Sequence, residues 1–431
     1  MNVIKSLSDI FNNKTIWICF FLFSITLTIF LIDQRYDGNG DLIPNKLLPI
    51  SILNEGDFDL NEFFCNQEGI CDTTHHYSRS IIKGRFVSNY PIIPGVLNTP
   101  VYAIASFFTV DLIKHRDLLS AISAAIISSF SVILMFLIFR NITKKEITSI
   151  IFSLVYAFAT LVWSVASQDI WQHGPSLLLI NITIYILLIK KEKLLPWAGF
   201  FIGMAVFNRP TNFLIALPIT IYFFLNHRKL FTKYLILILI PAFLLSWYSF
   251  SYHGSIWALG QARKGIEFFR TPLLTSLAGI LISPARGLFV FSPIFLFSLL
   301  YFPKIFKKKE DTLIKYLFVS LLLTLILVAK WTMWWGGWSF GYRLIIETIP
   351  IWMIFLVLSW EKIIVKNKYL IGFFLLLTII SVYFNFLGTF YFSCGFNNVP
   401  NNIDKNTERL WQVKDTQLIR CNNMFFDKLF R

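Results

Sequence analysis

Charge is what this chain of 431 residues has least of. Asp, Glu, Lys and Arg make up 15% of it and hydrophobic residues 56%. Soluble domains carry about 25% charged residues, so this chain cannot cover a water-facing surface of its size. A soluble enzyme and a disordered scaffold are excluded. Cysteine is also scarce: five residues exclude a disulfide-dense secreted module. No CxxC or HExxH spacing offers a zinc site. There is no P-loop, no Rossmann fingerprint, no internal repeat and no low-complexity or collagen-like tract. Without Walker motifs an ATP-driven pump is disfavoured.

Long apolar runs are what the chain does have. A helix crossing ~30 Å of hydrocarbon needs about 20 residues. Runs of that kind fall at 15–32, 119–139, 148–166, 175–189, 195–208, 211–225, 233–250, 288–302, 313–329, 343–360 and 369–387. The expectation is an all-α polytopic membrane protein with about eleven transmembrane helices. Residues 1–390 form its transmembrane domain, 33–118 a long first exocytoplasmic loop carrying short interfacial helices, and 391–431 an exocytoplasmic tail. The first span is not read as a cleaved signal, because Asp33, Gln34 and Arg35 follow it instead of a small-residue cleavage site.

Charge fixes the orientation. Lys and Arg total 39 against 24 Asp and Glu, a net +15. In a soluble protein that excess would suggest nucleic acid, which is not expected here. The basic residues cluster between spans, at Arg140/Lys144/Lys145, Lys190/Lys191/Lys193, Arg228/Lys229/Lys233, Lys304/Lys307/Lys308/Lys309 and Lys362/Lys366/Lys368. All of these loops are cytoplasmic if the N-terminus is inside and 98–110 lies in the interface without crossing. Cys65, Cys71, Cys394 and Cys421 then face outward, as two candidate disulfide pairs.

The informative polar residues gather on the outer side. They include Asp33, Asp37 and Asp41; Tyr90; His173 in Trp171-Gln-His173-Gly-Pro175; Arg209 in Asn208-Arg209-Pro210; Arg286 in Ser283-Pro-Ala-Arg286-Gly; and Trp335, Arg343 and Glu347 near Trp334-Trp335-Gly-Gly-Trp338. Arginine forks suit phosphate oxygens. Tryptophan faces suit sugar rings, although a Trp belt also marks any membrane interface. A carboxylate at the outer end of a span can take a proton from a hydroxyl. Arg209 is the hardest to read as incidental, because it interrupts two short apolar runs where an unpaired charge is costly.

At this point the chain resembles the GT-C superfamily of polytopic membrane glycosyltransferases, which includes protein O-mannosyltransferases and aminoarabinose transferases, and most closely a bacterial branch of it. The matching segments are GDLIPNKLLPISILNEGDFDLNEF (40–63), VSNYPIIPGVLNTPVYAIA (87–105), WQHGPSLL (171–178), NRPTNFLIALP (208–218), SPARGLFVFSP (283–293) and WWGGWSFGYRLIIETIP (334–350). The resemblance implies an enzyme in the bacterial inner membrane with its active site facing the periplasm or outside. It would move a sugar from a polyprenyl-phosphate donor to a hydroxyl on a lipid, glycan or protein.

Asp41 would be the base, with Asp37 and Asp33 as alternates, because the adjacent acidic pair of many family members is split here. Arg209, Arg286 and Arg343 would bind the donor phosphate, and Tyr90, His173, Trp335 and Glu347 would line the substrate. One displacement predicts inversion. No cofactor is required; a divalent metal is optional and would sit on outer-loop acids beside the phosphate. A flippase for a lipid-linked sugar would show midplane charges and repeat symmetry, which the sequence lacks. An O-antigen ligase or polymerase would carry its large outer loop late in the chain, whereas here it comes first.

Overall fold

In hydrocarbon only a helix satisfies its own backbone groups within one segment, and the apolar runs fold accordingly. The computed structural model describes residues 13–32, 40–65, 77–256, 268–307 and 312–430. Six helical stretches are long and apolar enough to cross a membrane: Asn13–Leu31, Arg116–Thr143, Arg228–His253, Thr312–Lys330, Arg343–Lys366 and Lys368–Phe390. Shorter apolar helices of 10–17 residues pack among them, including Glu146–Phe158, His173–Ile189, Trp197–Asn208 and Pro210–Asn226. The protein is an integral, multi-pass, all-α membrane protein.

Burial sorts the helices into two shells. In Arg116–Thr143 and Arg343–Lys366 the apolar windows are 72% and 78% buried, whereas in Arg228–His253 only 11% is. The first two form the centre, surrounded by one large cluster that includes Met135, Tyr156, Ile180, Phe295 and Trp352. The third turns Ile236, Leu239 and Phe243 outward, the side chains expected to meet lipid.

Three stretches of irregular helix interrupt the expected spans. The run 148–166 is α-helical only to Phe158 and passes into a π-turn at Val162–Ala166. The run 288–302 breaks at Ser292–Pro293 and continues as a 3-10 helix, Pro293–Tyr301. The run 343–360 starts as a 3-10 segment, Arg343–Thr348, and becomes α-helical at Ile349, where Pro350 suits the first turn. Such backbone is tolerated at membrane depth where it is buried in protein. A helix at Leu273–Ile282, absent from the expected spans, lies against the end of Thr312–Lys330.

The described residues of the 33–118 segment include two longer helices, a single-turn helix at Asn61–Phe64 and a hairpin. Helix α1 (Ile43–Asn54) follows a 3-10 turn at Gly40–Leu42. Strands β1 (Arg79–Ile82) and β2 (Arg85–Ser88) pair antiparallel, Arg79 opposite Ser88. Their two-residue loop, Lys83–Gly84, has positive φ at both positions, as a tight hairpin turn of matching twist requires. Helix α2 (Ile93–Phe107) keeps Ile104, Phe107 and Phe108 exposed at its far end. Its 15 residues span about 22 Å, less than the ~30 Å of a hydrocarbon core. Residues 391–430 fold back onto this end of the bundle. Helix α3 (Gln417–Leu429) is capped by Thr416, and a Cys394–Cys421 disulfide fastens it.

Candidate active site

Asp41 sits in the 3-10 turn that launches α1, so the helix start fixes its direction. Tyr90 donates its hydroxyl proton to Asp41 Oδ1 at 2.5 Å, and the Tyr77 hydroxyl also bonds to Asp41. Ser88 holds the Tyr90 backbone through both its N–H and its carbonyl. Burial, then the neighbouring Asp41 carboxylate, push the Tyr90 phenol far above its ordinary pKa. Tyr90 therefore stays protonated and stays a donor. Asp41 Oδ2 faces Arg343, whose Nη1 is 3.9 Å away.

Arg343 enters this site because the preceding loop doubles back. Gly336, Gly337 and Gly341 all have positive φ, which an L side chain adopts only under strain. The Gly336 carbonyl accepts from Arg343 Nη2 at 2.8 Å, and the guanidinium lies over the Trp171 ring at 4.5 Å. With the approach to Asp41, these are its partners among the described residues. Nε is buried without a hydrogen-bond partner, and Nη1 makes none within hydrogen-bond distance. A guanidinium carries five N–H donors; here most of them are unfilled.

Beside it is a buried cluster of three. His173 begins the helix His173–Ile189, Glu347 lies in Arg343–Thr348, and Arg209 occupies the extended joint between Trp197–Asn208 and Pro210–Asn212. His173 Nδ1 is 2.7 Å from Glu347 Oε1, and Arg209 Nη1 pairs with Glu347 Oε2. Arg209 Nη2 also donates to the Leu344 carbonyl at 3.4 Å. The joint is pinned by its flanking asparagines. Asn208 donates to the Gln172 carbonyl and to Ser176, and Asn212 to Ser176 and the Ala205 carbonyl. Glu347, expected to line the substrate, is 1% exposed and has both oxygens engaged. It supports His173 and Arg209 from behind.

A second buried ion pair escaped the sequence reading. Lys46 Nζ lies 2.6 Å from Asp169 Oδ2 and 2.8 Å from Asp117 Oδ1, with its side chain only 3% exposed. Ser120 and the Ile170 N–H donate to Asp169 Oδ1 at 2.5 and 2.8 Å. Lys46 is on α1, just past Asp41; Asp169 is on the loop that delivers Trp171 and His173. One pair thus ties the turn carrying Asp41 to the wall against which Arg343 stacks. The available signal was a lone lysine inside the apolar stretch Pro44-Asn-Lys46-Leu-Leu48.

Two other expected site residues are placed differently. Arg286 is 1% exposed and its donors are taken by the carbonyls of Trp335, Ala285 and Gly337 and by the side chains of Gln417 and Asn397, at 2.7–3.2 Å. It has nothing left for a phosphate. Trp335 is buried, and its indole N–H donates to Asp404 at 2.8 Å. Both belong to the seam joining the Gly-rich loop to residues 391–430. Cys394 and Cys421 are paired, and Cys65 is in a disulfide. Cys71, Asp33 and Asp37 lie outside the described residues. Among the described residues no three His, Cys, Asp or Glu side chains gather as they would around a metal. Asp41 is engaged by tyrosine hydroxyls on one side and faces Arg343 on the other.

The fold of this multi-pass bundle is shared with solved membrane enzymes of low sequence identity. The chain is similar to the ArnT of Cupriavidus metallidurans, solved bound to undecaprenyl phosphate: 10% identity and a TM-score of 0.56 over 94% of this chain and 73% of that one. It is also similar to the oligosaccharyltransferase of Archaeoglobus fulgidus tethered with an acceptor peptide, at 12% identity and a TM-score of 0.53, covering 91% of this chain and 58% of that one. The same archaeal enzyme in complex with zinc and sulfate matches with a TM-score of 0.52 at 12% identity, covering 91% of this chain and 57% of that one. This chain thus spans less than three fifths of the archaeal enzyme. No family model and no curated protein matches the sequence.

Proposed function

We propose that the protein is a GT-C-type glycosyltransferase that moves a sugar from a polyprenyl-phosphate donor to a hydroxyl on a lipid, glycan or protein. The observation that carries this reading is the pairing at Asp41 and Arg343. A guanidinium that is 12% exposed, with its Nε sealed and unpartnered, stands 3.9 Å from a carboxylate whose second oxygen is already occupied. An unfilled buried cation is costly unless an anion completes it, and the fold's solved relatives include one bound to a lipid phosphate. The positive-inside pattern supports an exocytoplasmic setting for this end of the bundle, and in this reading the membrane is a bacterial inner membrane.

The chemistry is a single displacement. The acceptor hydroxyl attacks the anomeric carbon while Asp41 Oδ2 takes its proton. The carbon–oxygen bond to phosphate breaks and the electron pair leaves with the lipid phosphate, stabilised by Arg343. One displacement inverts the anomeric centre. Tyr90 holds Asp41 through Oδ1 and Arg343 lies on the Oδ2 side. Arg209, half occupied by Glu347, contributes positive potential behind the phosphate.

The test is sugar release or transfer by the purified protein from a panel of radiolabelled polyprenyl-monophosphate sugars, with and without added acceptors, and with Asp41→Asn alongside. Turnover from one donor, lost in Asp41→Asn while that donor still binds, is the expected result. Movement of the intact lipid-linked sugar across a vesicle membrane without its cleavage would overturn the assignment in favour of a flippase.

A further inference from the structure

His173 has one ring nitrogen occupied and the other open. Nδ1 lies 2.7 Å from Glu347 Oε1. Arg209 Nη1 also lies 3.2 Å from Nδ1, but its short contact is with Glu347 Oε2; a carboxylate can only accept, so the closer Glu347 Oε1 contact assigns the proton to Nδ1 and leaves a lone pair on Nε2. Nε2 makes no hydrogen bond among the described residues. It is also not among the sealed polar atoms; the side chain keeps 7% of its surface open, against 2% for Glu347. The ring lies against Trp171, centroids 6.3 Å apart, and the Arg343 guanidinium stacks on the same indole at 4.5 Å. A group with unfilled donors and a group with an unfilled acceptor thus flank one aromatic wall.

A phosphate oxygen cannot use that acceptor, since both would offer lone pairs. A hydroxyl can. We propose that His173 Nε2 accepts a hydrogen bond from a hydroxyl of the sugar carried on the phosphate at Arg343, with Glu347 as the positioning residue that fixes the acceptor tautomer. This rests on the glycosyltransferase reading above and deepens it. Arg343 recognises the lipid phosphate and His173 recognises the sugar. The donor class is then a lipid phosphate whose sugar bears a free hydroxyl near the anomeric carbon.

The test measures binding, not turnover. Tritiated undecaprenyl phosphate and undecaprenyl-phosphoryl mannose, glucose and galactose are titrated onto the full chain in detergent. Wild type is expected to bind at least one sugar-bearing lipid more tightly than the bare phosphate, by about ten-fold for one neutral hydrogen bond. His173→Ala is expected to erase that preference and leave the Kd for undecaprenyl phosphate unchanged. His173→Gln, whose carboxamide oxygen reaches the Nε2 position, restores part of it. Glu347→Gln, whose amide can donate to Nδ1 and so turn Nε2 into a donor, also loses it. Melting curves identify any variant that fails to fold, and the glutamine rescue then decides. Equal loss for sugar-bearing and bare lipids in His173→Ala, or no loss at all, overturns the inference. If Arg343→Lys weakens every lipid while His173→Ala weakens none, the phosphate site stands and this inference alone fails. If wild type binds no lipid, both fail.

Discussion

Two buried arginines sit close together in this molecule and do opposite things. Arg286 is completely satisfied: three backbone carbonyls and two side-chain amides surround it, and it joins the Gly-rich loop to residues 391–430. Arg343 is buried nearly as well, yet its guanidinium makes one hydrogen bond, one aromatic contact and a loose approach to Asp41. Residue type and neighbouring glycines are shared, and Arg343 is somewhat more open, its side chain 12% exposed. What separates them is how many donors the protein fills. A satisfied buried polar group holds a structure together; an unsatisfied one is a standing cost that a ligand can relieve. The same contrast separates Glu347, with both oxygens taken, from His173, with one nitrogen open.

The largest effect that would sharpen this contrast lies at Asp41. Asp41→Asn is expected to lower kcat by about 1,000-fold, within the range of general-base catalysis. Single-turnover rates with a bound donor check it, and a loss under ten-fold would move the base elsewhere. Next comes the buried pair behind the site. Lys46→Met leaves Asp169 buried without its cation, which costs roughly 3–5 kcal/mol. Denaturation in detergent is expected to show that loss, and restoring the charge with Lys46→Arg to recover most of it.

The arginines themselves give a crossed result. Arg343→Met is expected to cost about 100-fold in kcat/KM, the order seen for one transition-state donor, with little change in melting temperature. Arg286→Met is expected to lower the melting temperature by several degrees while the folded fraction keeps its kcat. Identical behaviour of the two would erase the distinction. Smallest is Tyr90→Phe. Losing one hydrogen bond to the carboxylate is expected to cost about ten-fold in kcat, read in the same single-turnover assay.

Much of the fold is legible in the hydropathy of the chain. Spans such as 119–139, 313–329 and 369–387 fall within observed helices because uninterrupted apolar sequence has few alternatives in lipid. The π-turn at Val162–Ala166 and the 3-10 stretch Pro293–Tyr301 are not legible. Their backbones are set by neighbours such as Asn385, which accepts from Ser164, and no local pattern announces such a partner. Leu273–Ile282 went unrecognised because its ten residues are too few to read as a span.

The site divides in the same way. Arg209 stands out as a charge between two short apolar runs, whereas Asp41 is ordinary in isolation and is picked out through the resemblance; the structure brings both, with Tyr90, His173 and Arg343, to one end of the bundle. Lys46 and Asp169 are an unremarkable lysine and aspartate until the fold places them 2.6 Å apart. Arg286 and Arg343 look alike in sequence, each beside glycine and aromatic residues, because sequence names a donor without showing who receives from it.

The account rests most directly on the claim that the unfilled guanidinium of Arg343 is an anion site for a lipid phosphate. The measurement is the Kd of undecaprenyl phosphate for wild type, Arg343→Met and Arg286→Met, each confirmed folded. Arg343→Met weakening the lipid by ten-fold or more, with folded Arg286→Met unchanged, is the predicted result. Unchanged binding in Arg343→Met, or an equal loss in both, would contradict it.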